Sequence, residues 1–220
     1  MRFAATIGTA ALLSLCLVRP FPAVAGETRV KVVRLAGDVL IYPGHGEEFH
    51  QAELNETLTP GDFVRTLDDS RTVLRFPNGA LILINEHTDL YLSHCEEHGK
   101  TLLEVYCGEF IANIQRALSP GSSVEVSVPN CYAVVRGTVF GARVLDSGEV
   151  EFYGHRGLVH VYADSKTYQL RPGRIIRLAR NRPAQFLRHK LKLKQVLQEF
   201  EFAYHPPRGN VIHKLRARGL

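Results

Sequence analysis

The sequence predicts an all-β domain, a sandwich or solenoid-like stack of many short strands, followed by a basic C-terminal helix. Three observations carry that prediction. Between residues 30 and 178, runs rich in β-branched and aromatic residues are punctuated by Pro43-Gly44, Pro60-Gly61, Asn78-Gly79, His98-Gly99, Pro120-Gly121, Ser147-Gly148 and Pro172-Gly173. Apolar and polar residues alternate as they do on a strand with one buried face, most clearly at Val124, Val126 and Val128 around Glu125 and Ser127. Past residue 184 the period changes: Phe186, Leu187, Leu191, Leu193, Val196, Leu197 and Phe200 recur at near-helical spacing, with Lys190, Lys192 and Lys194 between them.

The chain opens with Arg2, an apolar run over residues 3–18, and Ala23-Val24-Ala25. That run is short for a bilayer crossing, and the small residues suit a signal peptidase groove. Residues 1–25 therefore read as a secretory signal peptide cleaved after Ala25, with an uncleaved anchor as the alternative. Cys16 follows the bulky Leu15, which argues against a lipoprotein signal. The remaining length fits one main domain with an appendage, and the expected location is periplasmic or secreted.

Within the β region, Asn78-Gly79 between residues 73–76 and 80–84 is the strongest hairpin signal, because both residues tolerate the positive φ of a tight turn. A second feature is Val128-Pro129-Asn130-Cys131-Tyr132-Ala133-Val134-Val135-Arg136-Gly137-Thr138-Val139-Phe140. There a β run is broken by Arg-Gly-Thr and resumes, with Gly137 placed for a bend or close backbone contact. Arg136 must reach water or find a partner; the favoured reading is a ladder or salt-bridge arginine locking the Gly137 corner, and a surface contact to an anion or partner is the other. Pro183 suits the first turn of a helix over 184–204, Pro206-Pro207 stops it, and residues 205–220 form a basic tail.

These elements, taken in order, resemble the FecR-type domain, the extracytoplasmic sensor region of ferric-citrate-type regulators and of stand-alone secreted proteins. The resemblance covers roughly residues 33–178. It rests on Leu35-Ala36-Gly37-Asp38-Val39, Leu58-Thr59-Pro60-Gly61-Asp62, Phe76-Pro77-Asn78-Gly79, the Arg136-Gly137-Thr138-Val139-Phe140 corner, and a closing repeat from Val150 to Val161. It implies that Gly61, Asp62, Gly79, Arg136, Gly137, Thr138 and Phe140 are structural signature residues, and that the protein signals by contact. The chain departs from the ferric-citrate regulators in lacking a sigma-binding segment, a central spanning helix and room for a receptor-binding domain. The expected role is therefore a free, non-enzymatic sensing or binding module of the cell envelope, with a structural scaffold or cell-wall-associated assembly protein as the alternative.

Charge divides the chain. Residues 26–170 carry 12 Lys/Arg against 20 Asp/Glu, whereas residues 171–220 carry 13 against 2. The basic end suits an anionic membrane, an acidic partner or docking onto the protein's own acidic domain, and export argues against nucleic acid. The expected partner is a protein or an envelope component, and the sequence leaves the oligomeric state open. His94-Cys95-Glu96-Glu97-His98 is the one cluster of metal-ligand types, yet a strand running into a turn scatters those side chains. His94, Cys95 and His98 are read as an exposed hairpin tip, with no metal or cofactor expected. Export permits one disulfide among Cys95, Cys107 and Cys131; the pairing is open, and buried unpaired thiols are the alternative. No nucleophile elbow, zinc-protease motif or phosphate loop is present, so no catalytic residue is assigned.

Overall fold

The computed structural model describes residues 29–46, 48–95, 99–114, 123–189 and 192–202. Residues 1–25, read above as a signal peptide, His98 and the tail 205–220 lie outside them. The strands run in order as β1 (Val30–Ala36), β2 (Val39–Tyr42), β3 (His50–Gln51), β4 (Thr57–Leu58), β5 (Phe63–Thr66), β6 (Arg71–Arg75), β7 (Leu81–Ile84), β8 (Asp89–Cys95) and β9 (Lys100–Asn113). They continue as β10 (Ser123–Val128), β11 (Cys131–Val135), β12 (Val139–Val144), β13 (Val150–Arg156), β14 (Val159–Ala163), β15 (Lys166–Leu170), β16 (Arg174–Leu178) and β17 (Gln185–Arg188), and end on a short helix α1 (Leu193–Gln198).

Two sheets share the long strand β9. Sheet I has the order β4-β1-β6-β7-β9-β12-β13-β16-β17, all antiparallel. Sheet II has the order β3-β2-β5-β8-β9-β10-β11-β14-β15, with β9 and β10 parallel. β9 contributes its first half to sheet II and its second half to sheet I, bending at Gly108 (φ 82°). Between the sheets lies one core that includes Ile82, Leu90, Leu103, Phe110, Val126, Phe140, Phe152 and Val161, each fully or almost fully buried. Burying each such side chain contributes about 1.5–3 kcal/mol. The Val124, Val126, Val128 alternation is the inner face of β10.

Each described crossing from one sheet to the other turns on a residue with left-handed φ: Gly37, Asn55, Gly61, Asp69, His87, Gly108, Gly137, Gly157 and Gly173. Asn, Asp and His are the side chains that tolerate this region best. The corners also pack on one another. A Cβ at Gly37 would strike Ser70, one at Gly108 would strike Thr88, and one at Gly157 would come within 2.8 Å of the Thr138 methyl. Ser70 Oγ accepts from the Asp38 amide (2.7 Å), and Thr88 Oγ1 accepts from the Glu109 amide (2.9 Å), stapling each pair.

The C-terminal segment departs from the expected helix over 184–204. Gln185–Arg188 extends sheet I as β17 against β16, and only Leu193–Gln198 is helical. An open sheet edge satisfies backbone groups one pair at a time, whereas a first helical turn carries a nucleation cost. The two-residue step from Leu191 to Leu193 also breaks the helical period. α1 and its continuation lay Leu193, Val196, Leu197, Phe200 and Phe202 on the outer face of sheet I, over Val73, Leu83, Ile111, Val139 and Tyr153. The segment thus docks on its own β-domain, and the ion pairs that flank it have the opposite polarity to the overall charge split: Arg34 pairs with Glu201, and Arg71 with Glu199 (3.5 Å). The basic side chains that do meet the acidic domain come earlier, Arg177 on Glu151 (2.6 Å) and Arg182 on Glu149 (3.4 Å).

Candidate functional site

The signature residues occupy structural positions. Asp62 is 6 % exposed, and its carboxylate accepts from the Thr59 amide (2.7 Å), the Thr59 hydroxyl (3.2 Å) and the Gly44 amide (3.0 Å). Gly61 supplies the left-handed φ (104°) of that turn, and Gly44 must lack a side chain, because a Cβ there would sit 2.6 Å from the Gly61 backbone. Gly79 alone supplies the left-handed φ (78°) of the β6–β7 turn, while Asn78 Oδ1 accepts from the Ala80 amide (3.0 Å). Gly137 is a sheet-crossing corner, Thr138 is buried behind it, and Phe140 meets Phe110 edge to face at 5.7 Å. Arg136 is exposed and makes no ion pair among the described residues, so the expected locking pair is replaced by a solvated side chain.

The cysteines do not pair. Cys95 faces Thr101 across the β8–β9 ladder, Cys107 faces Asp89, and Cys131 faces Ala163; all three are free thiols. Burial pushes the Cys95 and Cys131 thiols up to about 12, which keeps them protonated and unreactive. Pleating turns Cys95 into the core and leaves His94 exposed, and among the described residues no group of three His, Cys, Asp or Glu side chains could hold a metal.

The feature that stands out is the outer face of sheet II, where Phe49 of the β2–β3 loop stacks on Tyr42 at 5.1 Å and Tyr106 and Tyr132 stay exposed. The strand registers place Tyr42, Phe63, Tyr91, Glu104, Ser127, Tyr132, Tyr162 and Thr167 in one transverse row, each directly opposite the next. Aromatic side chains form two groups in it. Phe63 meets Tyr42 edge to face at 5.8 Å and stacks on Tyr106 at 6.2 Å, while Tyr132 and Tyr162 stack at 4.7 Å and 9° between planes. Tyr106 (51 %) and Tyr132 (38 %) are among the exposed large hydrophobic side chains of the described residues. Between the groups, the parallel pair β9–β10 offers a polar floor of Glu104 and Ser127. Neighbouring strands are about 4.8 Å apart, so Tyr91 and Tyr132 stand roughly 14 Å from each other across that floor.

Charges on this face are matched internally. Arg65 forks onto Asp89 through two 2.7 Å bonds and lies 5.6 Å from the Phe63 ring centre, and Lys100 pairs with Glu125 at 2.6 Å. The Tyr106 hydroxyl donates to Glu104 (3.0 Å), and this bond raises the phenol's pKa. Beyond Tyr132 and Tyr162 the face drops into a groove of about 470 Å³ bounded by Ser127, Asp164, Lys166 and Thr167. A second groove of about 630 Å³ follows the corners of sheet I, lined by Asp69, Glu86, Glu109, Arg143 and Asp146. Its central carboxylate is already engaged: Glu109 accepts from Tyr153 (2.7 Å), Arg143 (2.8 Å) and Asn85 (3.1 Å).

This row was not singled out in the sequence, although a trace of it is there: Leu90-Tyr91-Leu92, Cys131-Tyr132-Ala133 and Val161-Tyr162-Ala163 each put a tyrosine where the alternation calls for a solvent-facing residue.

Residues 62–160 match the model of the FecR protein family, from Asp62 beside the Gly61 corner to His160 in β14. The chain carries a FecR domain. The FecR match takes in both aromatic groups except Tyr42 and Tyr162, and the flanking strands β1–β4 and β15–β17 complete the two sheets around it. Two crystal structures of an anti-sigma factor candidate from Parabacteroides distasonis, at 1.65 and 2.50 Å resolution, share the fold with TM-scores of 0.53 and 0.52 and identities of 16 % and 17 %. The overlap covers 62 % and 61 % of this chain, and 63 % and 62 % of theirs, so the chain spans less than two thirds of their length. No curated protein matches the sequence.

Proposed function

We propose that this FecR-domain protein is an exported regulatory module of the cell envelope, periplasmic or secreted after cleavage at Ala25, that acts by contact rather than catalysis. The observation that carries this reading is the asymmetry of the sandwich. One outer face is occupied by the chain's own C-terminal segment, and the other presents exposed, rigidly stacked aromatic side chains, the residue type that dominates recognition surfaces. The FecR match and the likeness to an anti-sigma factor candidate support a regulatory setting. Its partner is a protein or another envelope component that meets sheet II.

Photo-crosslinking in intact cells tests this. A crosslinkable residue at position 106 or 132 is expected to capture envelope material, and one at position 187, on the β17 edge, is not. Equal or absent capture from all three positions would contradict the assignment. N-terminal sequencing of the envelope-borne protein, expected to begin at residue 26, tests the export step.

A further inference from the structure

We propose that the open face of sheet II binds an uncharged glycan strand, seated on the polar floor of Glu104 and Ser127 between the Tyr91/Tyr106 and Tyr132/Tyr162 walls. The inference deepens the contact-surface reading and rests on it. Three features of the face select this chemistry over others.

The first is ring posture. Tyr132 and Tyr162 are direct cross-strand neighbours with planes only 9° apart and centres 4.7 Å apart, so both rings stand up from the sheet. Ser127, the next residue in the row, is too small to cover the remaining face of Tyr132, which accounts for its 38 % exposure. Tyr106 is likewise stacked on Phe63 on one side and 51 % exposed. An aromatic face is electron-rich and attracts the weakly positive C–H groups on the flat face of a pyranose ring.

Electrostatics is the second feature. Arg65 is paired with Asp89, Lys100 with Glu125, and Glu104 accepts from Tyr106. The trough therefore offers neither a free basic cluster for an anionic polymer nor a free acidic one for a basic peptide. What it offers is hydrogen-bonding capacity: a carboxylate with unused lone pairs, a serine hydroxyl, and tyrosine hydroxyls at the rim. That complements a ligand that is neutral yet rich in hydroxyl groups.

The third is backbone accounting. The trough lies in the middle of the sheet, where β9 and β10 are paired on both sides, so no extended peptide can add a strand there. The aromatic groups are also separated by polar residues, which does not suit a lipid surface.

Isothermal titration of the purified protein with cellohexaose and with chitohexaose, two neutral glycans with flat pyranose faces, provides the test. Binding to at least one hexasaccharide is expected, with glucose and N-acetylglucosamine far weaker. Tyr132→Ala and Tyr106→Ala are each expected to weaken binding about tenfold, the scale of losing one stacked aromatic contact, while Tyr132→Phe retains it and Phe186→Ala, on the β17 edge of sheet I, leaves it unchanged. Circular dichroism of each variant separates lost binding from lost folding, and Tyr132→Phe provides a readout in which the ring is kept. The proposal is overturned if neither hexasaccharide binds, if the alanine variants bind as well as the unmodified chain, or if heparin competes as an ionic ligand. Should the glycans fail while positions 106 and 132 still crosslink to a protein, the glycan is wrong and the contact surface stands; failure of both removes the surface as well.

Discussion

At the scale of single residues, the FecR signature is a set of backbone devices. Asp62 holds three donors from two separate turns, and losing a charge-assisted acceptor of this kind costs about 2 kcal/mol. Asp62→Ala is therefore expected to lower the urea midpoint with an unchanged slope; a stability within error of the parent would show that the turns close without it. Gly137 sits at φ 65°, where an L side chain costs roughly 1–2 kcal/mol, so Gly137→Ala should destabilise by that amount. Gly141 acts by space rather than conformation. The Tyr153 ring lies directly across it, with its hydroxyl 2.7 Å from Glu109. Burial first, then the neighbouring Glu109 charge, hold the Tyr153 phenol well above its ordinary pKa, so it serves as a fixed donor. Gly137 was legible in the sequence because a glycine between two β runs has few other uses. Arg136 was not, because the expected locking pair presumed a partner within reach of the corner, whereas the side chain is exposed.

At the scale of elements, the C-terminal segment is the part whose form the sequence misrepresented and whose docking it anticipated. Docking on the protein's own domain is one of three contacts its basic charge suits, yet apolar packing seats it, and the spacing of those apolar residues suits a helix over 184–204 where the chain splits into β17 and α1. Whether a segment becomes an edge strand depends on a free partner such as β16, which no local pattern records. Phe200 is 4 % exposed against sheet I, and Phe200→Ala is expected to cost about 3–5 kcal/mol. Removing residues 192–220 should uncover Val73, Leu83, Ile111 and Val139, seen as dye binding and self-association in analytical ultracentrifugation. A deletion that stays monomeric and equally stable would mean the segment merely rests there. The aromatic row was hidden for a related reason. Each aromatic residue was visible, but Phe63 comes to face Tyr91, and Tyr132 to face Tyr162, only through the β5–β8 and β11–β14 pairings between strands far apart in sequence.

At the scale of the molecule, the sandwich has one face sealed by its own chain and one left open, and the sealed side carries a titratable weak point. His155, 8 % exposed, packs edge-on against His189 at 4.6 Å, close to Tyr153 and the Glu109 it bonds. Burial, and then the His189 charge, lower the His155 pKa from 6.5 to about 4. The unfolded chain thus binds the proton more readily than the folded one between those values. Stability from this group is complete above about pH 6.5 and is lost as pH falls toward 4, by at most about 3 kcal/mol. Urea unfolding at pH 7.5 and pH 5 should show that loss, and His155→Gln should flatten it; an unchanged pH dependence in the variant would assign the effect elsewhere. The two outer faces invite the most direct comparison, by hydrogen exchange of the purified protein with and without envelope extract. Protection is expected in residues 89–107 and 131–163, the strands that carry the open row. Protection confined to residues 185–202, or none at all, would contradict sheet II as the contact surface.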